Sequence, residues 1–401
     1  ITRDVTGDGR DDLVVPDLDG FWIATQLGDG TFATPVKLGP PEPFVDAIAL
    51  GDTRSYGEVG IDAMTLPWYQ SRLRTLDYDG DGKDDLVFWR TDHFEIYRQI
   101  AEGRFDQNPI FFNPGVPFDS DGIYSAIFGL QDINFFRLMV GLRKTDRRTM
   151  LHSLDDIDGD GTPDLVTLTL EGRSIIRLRS RLAAHFGERT AEGLRFQTEP
   201  GTTIEPQGRS MGLSAWGYAG IHPYDFGGRK AFAFHSVRMG LGGMTRAMAG
   251  KSIAMDLELY ALSDRTFPRD PTVRAAVRPK IAPFSTRGPL FPTVLFGDVT
   301  GDGRPDLLAG EAWDEIRLFP GIAGAELIDD VAIPVAMELP ADERNARLVH
   351  STRPCGGFMP SDLPRAAADA CHENGAAGPM AIFVHHPSDT EPDRITILMP
   401  R

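Results

Sequence analysis

The sequence predicts an all-β protein, a β-propeller of four-stranded antiparallel blades with loop insertions. Three observations lead to this prediction. A ten-residue acidic motif occurs four times, its copies recur at regular intervals, and short strand-like runs precede and follow them. A unit of this kind cannot bury both of its faces alone, but units stacked radially around an axis can.

The motif combines acids and glycines in a fixed order. Its copies are DVTGDGRDDL, DYDGDGKDDL, DIDGDGTPDL and DVTGDGRPDL. We number the positions of each copy from its first Asp and define loops 1 to 4 as residues 4–12, 77–85, 156–164 and 298–306. Oxygen-bearing side chains occupy positions 1, 3, 5 and 9, and glycine occupies positions 4 and 6. Because glycine tolerates the left-handed backbone of a tight turn, these oxygens can face one point.

This pattern predicts a cation site in each loop. Alternate residues turn their oxygens inward, and position 7 adds a backbone carbonyl. A set of oxygen ligands in flexible geometry favours Ca²⁺, so about four structural calcium sites are expected. The expected ligands are Asp4, Thr6, Asp8, Arg10 and Asp12; Asp77, Asp79, Asp81, Lys83 and Asp85; Asp156, Asp158, Asp160, Thr162 and Asp164; and Asp298, Thr300, Asp302, Arg304 and Asp306.

Two alternatives explain the motif less well. A metal-free turn rich in Asp and Gly needs no acid at position 9. An EF-hand needs a bidentate Glu at position 12, where this chain has Val15, Phe88, Thr167 and Ala309. The runs after the loops also resemble strands and not helices.

Loops 1 and 4 are expected to bind more weakly than loops 2 and 3. Thr6 and Thr300 replace an Asp at position 3, which leaves three carboxylates in place of four. Fewer charged ligands lower calcium affinity, so loops 2 and 3 should hold their ions longer during chelation.

Strand-like runs surround the loops. LVVP, LVFW, LVTL and LLAG follow them directly, and the alternating runs FWIATQL, FEIYRQI, SIIRLRS and EIRLFPG come next. Apolar residues at every other position indicate a strand with one buried face. Each unit is therefore predicted to be strand, loop, strand, turn and strand, with an outer strand in the variable remainder.

The spacing of the loops predicts six units. Loops 3 and 4 are separated by about two periods, and a degenerate copy, YDFGGRKAFAF, begins at Tyr224 between them. MAIFVHH at 380–386 and RITILMP at 394–400 form a sixth unit without the acid pattern. Residues 1–401 are thus predicted to be one domain, with units starting near 1, 73, 151, 220, 293 and 347. Seven blades remain an alternative if one unit is too divergent to recognise.

The repeated unit resembles the FG-GAP/VCBS repeat, the blade of the integrin α-subunit propeller and of many bacterial secreted proteins. The match is strong for four units and weak for two. The resemblance implies Ca²⁺ in the loop that joins the first two strands of a blade. It also implies a role in adhesion or assembly, with binding on the loop face of the propeller. The units are longer than a minimal blade, so insertions are expected.

The net charge of −17 predicts a surface that repels nucleic acid and anionic membranes. Four calcium ions would offset eight of these charges. No stretch reaches 18 uninterrupted apolar residues, so no transmembrane segment is predicted.

The two cysteines and the loops favour an exported protein. A disulfide between Cys355 and Cys371 would stabilise the sixth unit, which lacks an ion, and two free buried thiols are the alternative. Loops with few charges are saturated at extracellular and not at cytosolic calcium levels. An extracellular, periplasmic or cell-surface location is therefore expected.

The leading functional interpretation is a binding, adhesion or assembly module that recognises a protein or glycan partner through its insertions. These insertions are near 40–72, 106–150 and 200–250. No metalloprotease, nucleophile-elbow or phosphate-loop motif occurs in the sequence. The alternatives are a secreted, lyase-like enzyme that acts on polysaccharide, and a structural subunit of a larger assembly.

Two clusters of aromatic and basic residues allow two interpretations. They comprise Trp68, Tyr69, Arg72 and Arg74, and Trp216, Tyr218, His222 and Tyr224. Such residues are common both in packing between blades and in binding surfaces.

Overall fold

The computed structural model describes slightly more than half of the chain. The described residues are 2–17, 20–39, 73–89, 93–101, 103–118, 146–172, 179–191, 193–206, 224–225, 229–237, 255–277, 294–297, 299–302, 304, 306–312, 315–324, 327–329, 331, 333–336, 349–354, 380–386 and 394–398. All regular secondary structure in these ranges is β-strand, and none of them contains a helix that could cross a membrane. The all-β prediction is confirmed for this part of the chain.

The chain divides into two compact units. The first comprises residues 1–129, 148–169 and 182–202, and the second comprises residues 130–147, 170–181 and 203–401.

The first unit begins with two four-stranded sheets. Sheet 1 consists of β1 (Thr2–Arg3), β2 (Asp12–Asp17), β3 (Gly20–Ala24) and β4 (Val36–Leu38), in chain order. Sheet 2 consists of β5 (Leu73–Leu76), β6 (Asp85–Trp89), β7 (Phe94–Tyr97) and the outer strand β10 (Ile110–Phe112). A separate hairpin, β8 (Gln99–Ala101) and β9 (Arg104–Phe105), lies between β7 and β10 in the chain.

Sheet 3, most of which belongs to the first unit, repeats this plan. It contains β11 (Asp146–Asp155), β12 (Asp164–Gly172) and β13 (Arg179–His185); the hairpin β14 (Gly187–Thr190) and β15 (Gly193–Phe196) precedes its outer strand, β16 (Thr202–Ile204).

The second unit contains three more sheets. Sheet 4 consists of β17 (Tyr224–Asp225), β18 (Lys230–Val237), β19 (Met255–Ala261) and β20 (Val273–Val277). Sheet 5 consists of β21 (Val294–Gly297), β22 (Asp306–Ala312), β23 (Glu315–Phe319) and β24 (Ile333–Ala336). Sheet 6 shows three strands, β25 (Val349–Pro354), β26 (Met380–His386) and β27 (Arg394–Leu398). The first strands of sheets 5 and 6, β21 and β25, lie next to each other.

Sheet 2 is buried on both faces, which explains why its strands are almost continuously apolar. Leu86 and Phe88 pack against sheet 1, whereas Val87, between them in the sequence, packs towards sheet 3. Side chains alternate between the two faces of a strand, so a run such as LVFW supplies both interfaces.

Aromatic rings form much of both interfaces. The ring centroids of Phe21 in sheet 1 and Phe88 in sheet 2 lie 5.6 Å apart. On the opposite face, Phe112 of sheet 2 and Phe196 of the β14–β15 hairpin lie 6.0 Å apart. Full burial of a ring, as for Phe21 and Phe88, contributes about 1.5–3 kcal/mol, so the stacking of sheets 1, 2 and 3 is a major source of stability.

Candidate metal centres

Each acidic loop joins the first two strands of a sheet. Loops 1, 2, 3 and 4 lie in sheets 1, 2, 3 and 5, respectively. The glycines at positions 4 and 6 adopt positive φ angles between 74° and 83° wherever they are described. These glycines are Gly7, Gly9, Gly80, Gly82, Gly159, Gly161 and Gly301. The left-handed turns predicted from the motif are therefore present.

The aspartate at position 1 organises the turn through its carboxylate. In loop 2, Oδ1 of Asp77 accepts the backbone N–H of Gly80 at 2.7 Å, and Oδ2 accepts that of Gly82 at 3.2 Å. Asp4 and Asp156 bind the corresponding glycine amides of loops 1 and 3. The carboxylate thus holds the loop closed around itself.

The aspartate at position 9 is buried and joins two parts of its sheet. One oxygen accepts the N–H at position 2 of the loop, and the other accepts an N–H two residues beyond the third strand, at distances of 2.7–3.0 Å. The pairs are Asp12 with Gln26, Asp85 with Gln99, Asp164 with Gly187, and Asp306 with Gly321.

Three carboxylates converge in loop 2 and in loop 3. Asp77, Asp79 and Asp85 each offer an oxygen within 4.8 Å of the others, and Asp156, Asp158 and Asp164 do the same. Two oxygens on opposite sides of a calcium ion, each about 2.4 Å from it, would be separated by about this distance. The residues of both loops therefore fit a hard cation.

Loops 1 and 4 do not show three converging carboxylates among their described residues. The described acids of loop 1 do not form such a group, and Asp298 of loop 4 lies outside the described residues. Thr6 and Thr300, at position 3, place Oγ1 at 3.4 Å from Asp4 and Asp306, respectively. The threonines thus contact the carboxylates at positions 1 and 9 of their own loops.

The aspartate at position 5 makes local contacts. Asp8, Asp81, Asp160 and Asp302 each accept the backbone N–H of position 7. In loops 1, 2 and 4 the same carboxylate also pairs with the basic side chain at position 7, which is Arg10, Lys83 or Arg304. Only the backbone carbonyl of position 7 was expected to take part in the site. The basic residues at this position could have predicted the ion pair with position 5.

Burial raises the pKa of the carboxyl groups at position 9 of loops 1, 2 and 3. The pKa of Asp85 is raised to about 6 and that of Asp164 to about 7, and the pKa of Asp12 is also raised. The amide hydrogen bonds oppose this effect, while neighbouring acids of the same loop add to it. Ionised carboxylates in this arrangement are unfavourable unless a cation offsets their repulsion.

Residues from the following sheet reach loops 1 and 2. Nε2 of Gln99 donates to the carbonyl of Thr6 at 3.0 Å. Arg189 donates to the carbonyls of Asp77 and Tyr78 at 2.7 and 2.9 Å. The sequence did not predict either contact, because neither residue belongs to a motif and each is far along the chain from the loop it contacts.

Arg74 belongs to the packing between sheets. It is 1% exposed and donates to the carbonyl of His152 at 3.0 Å. The cluster that contains Arg74 was predicted to serve either packing between blades or a binding surface. For Arg74 itself, the structure shows packing between sheets. Trp68, Tyr69 and Arg72 lie outside the described residues, as do Trp216, Tyr218, His222, Cys355 and Cys371.

Comparisons with known proteins identify no family. No protein-family model matches the chain, and a search of the curated proteins finds no match. Among solved structures, a chain of the complex of BBS1N with ARL6DN is 12% identical, with 100% of this chain and 92% of that chain covered and a TM-score of 0.31. An Agrocybe aegerita lectin that recognises non-reducing terminal N-acetylglucosamine is 12% identical, with 98% and 93% covered and a TM-score of 0.32. These TM-scores are too low to support an inference about fold or function.

Proposed function

We propose that this chain is a calcium-stabilised β-propeller that acts outside the cytoplasm as a binding, adhesion or assembly module for a protein or glycan partner. The observation that carries the proposal is the repetition of one acidic loop at the same place in sheets 1, 2 and 3, which stack in succession, and again in sheet 5. The FG-GAP/VCBS-like sequence of the repeat supports the same conclusion.

The packing of sheet 2 supports the propeller. Sheets 1 and 3, its neighbours along the chain, cover its two faces. Chain order is also the order of strands within each four-stranded sheet. Blades of a propeller are stacked and connected in this way. Six such sheets, one of them with three described strands, are consistent with a six-bladed ring.

The ligand chemistry supports calcium. The converging groups of loops 2 and 3 are carboxylates, which are hard oxygen ligands. Magnesium usually keeps several waters and binds through one or two carboxylates, so three converging carboxylates favour calcium. When bound, the ion would supply positive charge to the carboxylates and would fix the joint between two strands.

A structural role for calcium follows from the other contacts of these acids. Positions 1 and 9 already bind backbone amides of their own sheet, so an ion at this point would rigidify the sheet. At a tenfold excess of calcium over its Kd, each occupied site would add about 1.4 kcal/mol to the free energy of unfolding.

Metal analysis and thermal unfolding test the calcium assignment. Protein dialysed against millimolar calcium should retain the metal, and EDTA should lower its Tm by several degrees. An equal concentration of magnesium should restore little of that Tm. A Tm that EDTA leaves unchanged, together with no retained calcium, would refute the assignment.

Partner capture tests the binding role. Pull-down from the native source with and without EDTA, followed by a glycan array, should identify a protein or glycan retained only by the calcium-loaded form. Depolymerisation of a polysaccharide by the purified protein would instead support the alternative enzyme and would overturn the non-catalytic role.

A further inference from the structure

We propose that Arg189 is a positioning residue that couples loop 2 to loop 3, so that these two loops bind their ions cooperatively. The proposal rests on the calcium loops proposed above, and it assigns to a residue outside the motif a role in how they bind.

Arg189 binds the backbone of loop 2 with two nitrogens. Nη2 donates to the carbonyl of Asp77 at 2.7 Å, and Nη1 donates to that of Tyr78 at 2.9 Å. The planar guanidinium can hold two consecutive carbonyls in one geometry, which an ammonium group cannot do. Arg189 thereby fixes positions 1 and 2 of the loop, where the first carboxylate ligand begins.

The glycine at position 4 of loop 2 leaves room for this contact. A Cβ atom at Gly80 would lie 3.1 Å from Nη1 of Arg189. The φ angle of Gly80 is +81°, so the turn favours glycine, and the absence of a Cβ atom also keeps the approach of the guanidinium uncrowded.

The strand that carries Arg189 is also attached to loop 3. Gly187 begins β14, and its N–H donates to Oδ1 of Asp164 at 2.8 Å. A Cβ atom at Gly187 would lie only 2.0 Å from the carbonyl oxygen of Pro163, so β14 lies directly against loop 3. Only one residue, Glu188, separates Gly187 from Arg189. A change in the position of Asp164 is therefore transmitted to the group that holds loop 2.

Gln99 makes the equivalent connection one sheet earlier. Its backbone N–H donates to Oδ1 of Asp85 in loop 2 at 2.7 Å. Its side chain donates to the carbonyl of Thr6 in loop 1 at 3.0 Å, and the residue is 3% exposed. In both hairpins, the first residue binds position 9 of its own loop, while a side chain reaches the preceding loop.

These connections produce cooperativity because a bound ion fixes its ligands. An ion in loop 3 would fix Asp164, which fixes β14 and the guanidinium of Arg189, and loop 2 would then lose less freedom when it binds an ion. Coupling of this kind is reciprocal, so an ion in loop 2 must favour binding in loop 3 equally.

The charge of Arg189 and its positioning role have opposite effects on calcium binding in loop 2. The direction in which a mutation of Arg189 changes the calcium affinity therefore shows which effect is larger. Nη2 lies 3.4 Å from Oδ2 of Asp77, so the guanidinium alone would repel a cation in loop 2. If charge dominated, loss of Arg189 would strengthen calcium binding. If positioning dominates, as proposed, loss of Arg189 weakens binding.

The first test is a calcium titration of Arg189→Ala followed by amide NMR, in which Gly80 and Gly82 report on loop 2. We expect the affinity of loop 2 to fall about tenfold, which is typical for the loss of an outer-shell partner of a metal site. Arg195→Ala is the matched control, because Arg195 lies on the same hairpin with its side chain 73% exposed. An unchanged or higher affinity in Arg189→Ala would overturn the proposal.

Arg189→Lys keeps the charge and removes the planar fork, so it should also weaken loop 2; an affinity equal to that of the wild type would overturn the positioning role. This variant keeps the test decisive if Arg189→Ala does not fold.

The second test measures the coupling itself. Asp158→Asn weakens loop 3 and should therefore lower the affinity of loop 2 severalfold in the wild type, but not in Arg189→Ala. An equal effect of Asp158→Asn in both backgrounds would overturn the coupling while leaving the calcium assignment intact. Absence of calcium-induced shifts at Gly80 and Gly82 in the wild type would instead overturn the assignment, and this proposal with it.

Discussion

The backbone N–H of Gly187 donates a hydrogen bond of 2.8 Å to Oδ1 of Asp164, across 23 residues of the chain. The second oxygen of the same carboxylate accepts the N–H of Ile157 at 3.0 Å. Position 9 of the loop therefore has a structural role that does not depend on an ion. The ion and the sheet share one carboxylate, which explains why this acid is present in every intact copy of the motif.

Substitution of Asp164 should destabilise the protein with and without calcium. In Asp164→Ala, two buried N–H groups lose their acceptor, at a cost of about 1–3 kcal/mol each. We expect the free energy of unfolding to fall by roughly 2–4 kcal/mol in EDTA, and further in calcium. Urea unfolding followed by circular dichroism in the two buffers measures both effects.

Asp158→Asn serves as the comparison, because Asp158 occupies position 3 of the same loop. This variant removes one charged ligand and keeps the size of the side chain, so its urea curve should differ from the wild type chiefly in calcium. If Asp164→Ala unfolded at the same urea concentration as the wild type in EDTA, the ion-independent role of Asp164 would be wrong.

Loop 2 should bind calcium more weakly than loop 3, because its position 7 carries a basic side chain, and exchange of the residues at position 7 should reverse this order. Lys83 pairs with Asp81 in loop 2, whereas position 7 of loop 3 is Thr162. Because this pair is exposed, the effect should be only a few-fold in affinity. Lys83→Thr should strengthen calcium binding in loop 2, and Thr162→Lys should weaken it in loop 3.

Calcium titration followed by the loop glycine amides gives both affinities in one experiment, and it should be repeated at high salt, where both differences should shrink. If calcium affinity changed in the same direction in Lys83→Thr and Thr162→Lys, the charge at position 7 would not determine the affinity.

The local sequence was sufficient to predict the loops and most of the strands around them. The run FEIYRQI contains β7 and the start of the following hairpin, and EIRLFPG contains β23. These elements depend on alternation and on glycine conformation, which are properties of short segments. The third strand of sheet 3 is described as β13 (Arg179–His185), and most of the predicted run SIIRLRS lies outside the described residues. Alternation continues in the described part, where Leu182, Ala184 and Phe186 are buried.

The contacts between sheets could not be predicted from the sequence. Arg189 contacts residues 111 and 112 positions earlier, and Gln99 contacts a residue 93 positions earlier. Such contacts depend on how two sheets stack, and no local pattern encodes that arrangement. The same limit applied to Arg74, whose burial depends on the position of sheet 3.

Arg74 should contribute to stability through the packing of sheet 2 on sheet 3. Its removal in Arg74→Ala would leave a cavity and take the donor from the carbonyl of His152, so we expect the free energy of unfolding to fall by roughly 2–5 kcal/mol. Arg74→Met retains most of the volume and should cost less.

Urea unfolding of the two Arg74 variants measures both losses, with Arg195→Ala as the exposed control. A change below about 0.5 kcal/mol in Arg74→Ala, as expected for an exposed arginine, would contradict this role.

Tyr260 should make the protein less stable at alkaline pH. Burial raises the pKa of its phenol, and the neighbouring Glu258, whose carboxylate lies 3.1 Å from the hydroxyl, raises it further. The unfolded chain loses this proton near pH 10, whereas the folded protein keeps it to a higher pH. The folded state then binds more protons than the unfolded state, so above pH 10 the free energy of unfolding should fall by about 1.4 kcal/mol per pH unit from this group. Tyr260→Phe cannot titrate, and its stability measured by urea unfolding should decline by about 1.4 kcal/mol less than that of the wild type over the whole range from pH 9 to pH 11. Identical slopes for the two proteins would show that the phenol of Tyr260 ionises as easily in the folded state as in the unfolded chain.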